Sequence, residues 1–460
     1  MSHAIDSDGE FGPRGREVRA RLAEKTKRSR ALSAKTHELM NMGSAASLEM
    51  PHPVLMERGE GPYLFDADGN KYIDFQIGFG SLILGHRHPV IQEAILDQAE
   101  NRGWQFGLHN PNQIPLAELI IKADNCAERV IFCNSGTEAT MYAIRVARAF
   151  TGKDKVAVFD GSYHGAHDYG IGVADPESPR EAPVYRSMGA GVPQSVRDRQ
   201  LMLPYRSDAA FDIIRANKDE LAVVIVEPAQ SSNPHMGDDI KEFLAGLREV
   251  CTQSGVLLMY DEVITGFRFS YGGAQELYGV YPDIATYGKA VGGGLPVGVV
   301  GGRGDIMALF NSMAAGDPKG IMSGGTFSGN PLTMAAGAAQ VGYFDEHRET
   351  LYPHINLQGG RLAEGINGFA RDNNMAVQVL SAGSMFQIYF KADPIRSSRD
   401  LAFPKPPAET EFYLHLLDNG VLVPGTRRSF VSYVHTAADI DDAVERVKTS
   451  LMAVREDGLI

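Results

Sequence analysis

Short apolar runs bounded by turn residues recur between about residues 115 and 330: Arg129 to Cys133, Lys155 to Phe159, Ala222 to Val226, Val256 to Tyr260, Ile284 to Tyr287 and Val297 to Val300. Between them apolar residues fall at helical spacing, as from Ala209 to Lys218 and from Ile240 to Ser254. Continuous apolar strands imply burial on both faces, so the pattern predicts an α/β region with a mostly parallel sheet and helices packed against it. Upstream, Tyr63-Leu64-Phe65 and Lys71-Tyr72-Ile73-Asp74-Phe75 flank the turn-rich Asp66 to Asn70, the mark of a small hairpin. A Gly-rich passage from Gly78 to His86 then leads into a helical pattern from Pro89 to about Asn101. After Pro331 a long helix is expected from Leu332 to about His347, followed by helices alternating with strands such as Phe386 to Phe390 and Phe430 to Val434. The expected organisation is an N-terminal segment, 1–80, that joins a C-terminal region, 335–460, in a smaller α+β domain, with a large domain, 81–334, between them. The stretch from Pro176 to Pro204 reads as a long loop, either at an active site or as a surface excursion.

Composition narrows the class. The chain has 460 residues, 43% of them hydrophobic, enough for one large core and a smaller one. A net charge of -13 is spread along it, which argues against nucleic acid as a main partner. The local basic excess, Arg14 to Arg30, reads as a helix gripping another subunit, a frayed arm, or a solvated face. No apolar run approaches a membrane span and the N-terminus lacks the apolar core of a signal peptide, so a cytoplasmic protein with no membrane partner is expected. Cys126, Cys133 and Cys251 have no close pairing and read as reduced, buried thiols. His86, His88, His164 and His167 have no further ligands at metal spacing, so no metal is expected.

Chemistry enters at the ends of the predicted strands. Val256 to Tyr260 delivers Asp261-Glu262, and Ile284 to Tyr287 delivers Gly288-Lys289. In an open α/β sheet, ligands bind at such ends, so an acid and a lysine distant in sequence can converge on one molecule. Asn134-Ser135-Gly136-Thr137-Glu138 follows another strand and opens a helix from about Ala139 to Phe150. It reads either as an ordinary capped helix, with Ser135 and Glu138 at capping-box spacing, or as an anion site. Asp261-Glu262 also resembles a Walker B strand end. That reading needs a phosphate loop upstream, and Gly152-Lys153 is followed by Asp154 while Gly288-Lys289 is followed by Ala290. The glycines from Gly292 to Gly302 lack dinucleotide-fingerprint spacing. Pyridoxal 5'-phosphate would use all three features: an anion site, a carboxylate for the ring nitrogen and a lysine for the aldehyde.

On these residues the chain resembles a class III aminotransferase of the pyridoxal-phosphate fold type I superfamily, nearest to glutamate-1-semialdehyde 2,1-aminomutase-like aminotransferases. The resemblance covers about residues 50 to 445. It rests on Asp68-Gly69-Asn70, Leu84-Gly85-His86, Asn134 to Ala139, Tyr163-His164-Gly165, Val226-Glu227-Pro228, Asp261-Glu262-Val263, Thr265-Gly266-Phe267-Arg268, Gly288-Lys289, Gly325-Thr326 and Gly329-Asn330-Pro331. It implies a large domain with a seven-stranded, mostly parallel sheet. It also implies that Ser135, Gly136 and Thr137 hold the phosphate, that Tyr163 lies against the ring with Val263 on the other face, and that His164 and Glu227 are near the cofactor. Asp261 would pair with the ring nitrogen, Lys289 would bond to the aldehyde, and Thr326 would reach the phosphate in a neighbouring subunit, making a homodimer with its sites at the interface.

The catalytic residues do not separate transfer to a second molecule from transfer within one. Aminomutases of the family carry an arginine in the N-terminal segment, and the matching stretch here, Gly43 to Glu49, has none. Near the C-terminus, Arg427-Arg428 stand where the aminomutases have a glutamate, and an arginine can hold a substrate carboxylate bidentately. The expected activity is an aminotransferase moving an amino group from an amino acid, a β-amino acid or a bulky one, to a 2-oxo acid. The alternatives are a 2,1-aminomutase and a non-catalytic protein that only binds the cofactor.

Overall fold

A computed structural model describes residues 11–40, 51–312, 316, 318–401, 407–423, 425 and 428–460. At its centre lies a seven-stranded sheet, in spatial order Arg129–Cys133, Gly298–Gly302, Ile284–Gly288, Leu257–Asp261, Leu221–Val226, Lys155–Phe159 and Gln200–Leu203. The strands from Ile284–Gly288 to Gln200–Leu203 pair in parallel, and Gly298–Gly302 runs antiparallel to both its neighbours. Every residue of Leu221–Val226 and Leu257–Asp261 is buried, as continuous apolar strands require. Helices Gly136–Thr151 and Asp238–Ser254 pack on opposite faces of this sheet, the first against Ile225 and Met259 and the second against Val224 and Leu258.

The six strands expected in this region are present, shifted by a residue or two at most. The seventh lies inside the stretch expected to be loop. Gln200–Leu203 pairs with Val156 to Phe159 at the sheet edge, and Tyr185–Ser187, also within the stretch, pairs in a hairpin with Gly172–Ala174 just before it. The run Gln-Leu-Met-Leu is too short to stand out beside the prolines and glycines before it.

A smaller α+β domain is built from both ends of the chain. The hairpin strand Lys71–Asp74 pairs in parallel with Val421–Leu422, and Ile73 and Phe75 join a core with Leu362, Phe386, Phe412 and Val447. The strand expected from Phe430 to Val434 stops at Phe430. There the chain turns: Ser432 donates its amide to His435 Nδ1 at 3.0 Å, and the ring of His435 stacks on Phe75 at 4.9 Å.

The basic N-terminal segment forms two helices, Pro13–Lys25 and Lys27–Leu39, and the first is bound to its own chain. Val18 and Leu22 are buried with Phe11, Leu414 and Leu417, while Arg21 and Lys25 both reach Asp418. That excludes a frayed arm for this helix. Replacing Leu22, which is 1% exposed, by Ala should cost about 2–4 kcal/mol in urea unfolding of the full chain. An unchanged midpoint would mean that the helix is not docked in solution.

Among the described residues no helix is long and apolar enough to cross a membrane.

Candidate active site

Five of the sheet's strands end on one cavity of about 410 Å³. Each contributes residues at its carboxyl end or in the turn that follows: Asn134 and Ser135, Tyr163 and His164, Glu227, Asp261, and Lys289. The site thus sits where a parallel sheet leaves open ends for a ligand.

Helix Gly136–Thr151 points its N-terminus into the cavity. Ser135 caps it, accepting the Glu138 amide at 3.1 Å. In a reciprocal capping box Glu138 would return to the amide of Ser135; here its carboxylate accepts from Asn134 instead, at 2.5 Å. First-turn amides of a helix have no acceptor within it, so those of Ser135, Gly136 and Thr137 form a cradle for an anion. A Cβ added to Gly136 would come within 2.8 Å of Val263, so glycine lets Val263 close over the helix end.

Asp261 is 5% exposed and tied from three sides. His164 Nδ1 lies 2.7 Å from one oxygen, and the other accepts from the Val263 amide at 3.2 Å and the Thr286 hydroxyl at 3.3 Å. An Nδ1–H directed at the carboxylate leaves Nε2 of neutral His164 as an acceptor, and that atom is buried without a partner. Glu227, also buried, accepts the backbone amides of Tyr163 at 2.9 Å and Ser231 at 3.1 Å, and so fixes the turn that presents Tyr163. Tyr163 itself is 46% exposed at the cavity wall.

Lys289 stands at φ 46°, a left-handed conformation rarely held by residues other than glycine. It keeps partial access to the cavity, yet the protein packed around it makes the ammonium costly. Burial is the largest influence, Arg428 adds to it, Asp261 and Glu227 oppose it, and the amine's pKa falls to about 8.

The cavity brings together Ser135, Gly136, Thr137, Tyr163, His164, Glu227, Asp261, Val263 and Lys289. Thr326 does not line it; it is exposed, its carbonyl accepting from Gln105 at 2.6 Å. Arg428 lies within electrostatic reach of Lys289 and Tyr389. Arg427 and the stretch 43–49 lie outside the described residues. Sequence reasoning missed Thr286, one residue before Tyr287 in an apolar strand, and the lining residues Ser81 and Leu295 to Val297. The position of Thr286 beside Asp261 follows from strand register, which single-strand patterns do not carry.

A buried acid, an amine of lowered basicity and an anion cradle around one cavity on a seven-stranded sheet define a fold type I pyridoxal-phosphate enzyme. The family model for class III aminotransferases matches residues 44–451, and the chain belongs to that family. A glutamate-1-semialdehyde 2,1-aminomutase from Archaeoglobus fulgidus is 39% identical over 436 residues, covering 93% of this chain and 100% of the relative. Among solved structures, an omega-transaminase from Sphaerobacter thermophilus is 31% identical with a TM-score of 0.86, over 93% of this chain and 98% of that one. A β-phenylalanine aminotransferase from Variovorax paradoxus is 31% identical with a TM-score of 0.82, over 95% and 96% of the two chains. The cofactor is pyridoxal 5'-phosphate, and the residues present fit it: a cradle for its phosphate, a carboxylate for its ring nitrogen and an amine for its aldehyde.

The state of Lys289 has a pH signature in the cofactor-free protein. Between about 8 and 10.5 the unfolded chain holds the proton that the folded chain has lost, so this group adds stability as pH rises through that window. Lys289→Met should therefore stabilise the cofactor-free protein at pH 7 by roughly 1–3 kcal/mol, with the gain fading by pH 10.5. Urea melts at the two pH values measure it; a pH-independent difference would contradict the lowered basicity.

Proposed function

We propose that this enzyme relocates an amino group on a small, carboxylate-bearing substrate, with Lys289 and Asp261 as its catalytic residues. The observation that carries the reading is the convergence of Lys289, Asp261 and the Ser135–Thr137 cradle on one cavity. When bound, pyridoxal phosphate acts as an electron sink for the substrate carbon. Asp261, braced by His164 and Thr286, holds the proton on the ring nitrogen. Ser135, Gly136 and Thr137 would hold the cofactor's phosphate, and Val263 and Tyr163 would orient its ring. Lys289 would hold the cofactor at its aldehyde and, with its amine free, could accept and return a proton at the substrate carbon. With about one amine in ten neutral at pH 7, against roughly one in three thousand for an ordinary lysine, it is ready for both tasks. Thr326, exposed and outside its own chain's cavity, is assigned to a second copy's phosphate in a homodimer.

The amino group can return to the same molecule or pass to a 2-oxo acid. The name shared by the curated relatives, 36–39% identical over most of this chain, favours the first, a 2,1-aminomutase. Two observations favour the second. Gly43 to Glu49 carries no arginine, and Arg428 supplies positive charge near Lys289 where an oxo-acid carboxylate can be held. The resemblance to the omega-transaminase and the β-phenylalanine aminotransferase points the same way.

A half-reaction separates them. The cofactor-loaded protein, mixed with amino acids, β-amino acids or glutamate-1-semialdehyde and no acceptor, is followed by cofactor absorbance and product analysis. Stoichiometric release of a keto product supports the aminotransferase, and an isomer of the substrate with nitrogen on the neighbouring carbon supports the aminomutase. No conversion of any amine would sink both. Lys289→Ala should fold and lose at least about 10³-fold in turnover.

A further inference from the structure

Arg268 is the largest side chain that is fully buried, at 1% exposure. Among the described residues it forms no ion pair with an acid. Its partners are neutral: it donates to the carbonyls of Gly80 and Val431, the latter at 3.3 Å, and its guanidinium lies 5.0 Å from the Phe430 ring centre. Nε is buried with no partner, and burial lowers the guanidinium's pKa to about 9. A charge buried without a counterion is costly, and an apolar side chain of that length would fill the space at less expense. What an apolar side chain cannot do is span two carbonyls from distant segments.

One of those segments leads into the cavity wall, and the other carries Arg428, whose charge is felt at Lys289. On one side the turn from Ile77 to Gly80 holds four successive left-handed residues, at φ 47°, 56°, 53° and 87°, and leads directly to Ser81 in the cavity wall. Left-handed backbone at Ile and Phe is strained, so the turn needs holding from outside. Asp74 holds its start, accepting the Gln76 amide at 2.8 Å and the Ile77 amide at 3.1 Å, and Arg268 holds its end. On the other side runs the segment from Arg428 to Val431. Phe430 bonds through its amide to Phe75 at 2.7 Å and sits so close to Gly80 that a Cβ there would lie 3.0 Å from the ring.

We propose that Arg268 is a positioning residue for the substrate carboxylate, its buried fork locking the Ile77–Gly80 turn to the segment that carries Arg428. The inference rests on the reading that Arg428 holds that carboxylate. Arg268 itself does not line the cavity.

The test titrates propionate, 3-phenylpropionate and the uncharged 3-phenylpropionamide into the cofactor-loaded protein by calorimetry, for wild type, R268M and R268K. Cofactor absorbance verifies that each variant is folded and loaded. The expected result for R268M is an affinity for both acids weaker by about tenfold or more, with the amide changed less than about twofold. R268K keeps the charge but not the fork, so it should lose at least about threefold for the acids, and it carries the test if R268M does not fold. Equal losses for acid and amide, or unchanged affinity in R268K, would overturn the proposal. Wild type binding neither acid would overturn the carboxylate reading, and this inference with it.

Discussion

The register between two parallel strands is the constraint on which the site depends. Tyr260 pairs with Ala285 and Asp261 with Thr286, so the acid at one strand end faces a hydroxyl on its neighbour, and Lys289 follows three residues later. A slip of one residue would turn every side chain of a strand to the other face. Asp261 and Glu262 show how sharply that alternation acts. Asp261 opens on the cavity, while Glu262 points away and accepts from Thr265 at 2.9 Å and from the amides of Ala274 and Gln275. Burial raises the Glu262 carboxyl to about 7, whereas it is the amine of Lys289 that burial lowers on the cavity side. Their contributions to stability change with pH in opposite directions. Folded Glu262 holds its proton between about 4.5 and 7, so its contribution falls as pH rises through that window.

This arrangement explains what could be read from the chain. The fold class and six of the seven strands followed from buried apolar runs, and Asn134, Ser135, Glu227 and Asp261 stand immediately after those runs, with Lys289 one residue further. Position after a strand is a one-dimensional fact. Gln200–Leu203 escaped because an edge strand needs only one partner and can be short, and Thr286 because its role lies in pairing. The segment from Arg14 to Arg30 looked like a solvated charge run or an arm, and the reason it docks on its own chain, the burial of Val18 and Leu22 against Leu414 and Leu417, lies nearly 400 residues away.

The cofactor and substrate ends of the site are held by different kinds of structure. Ser135 to Thr137, Asp261, Glu227 and Lys289 are fixed by the sheet, whose paired backbones tolerate little adjustment. The cavity wall beyond these residues includes Ser81 after a strained turn and Leu295 to Val297 after a run of glycines, and Arg428, before a strand of two residues, adds its charge at Lys289. Leu295 to Val297 lead into the central strand Gly298–Gly302, whereas the turn before Ser81 is held by side-chain contacts of Arg268, Asp74 and Phe430. Substitution there can alter which amine enters without disturbing the catalytic residues. That is consistent with this chain being similar both to a protein named as an aminomutase and to one named as an aminotransferase, and it is why the chemistry of this chain is legible from its strands while its substrate must be sought in the contacts between its two domains.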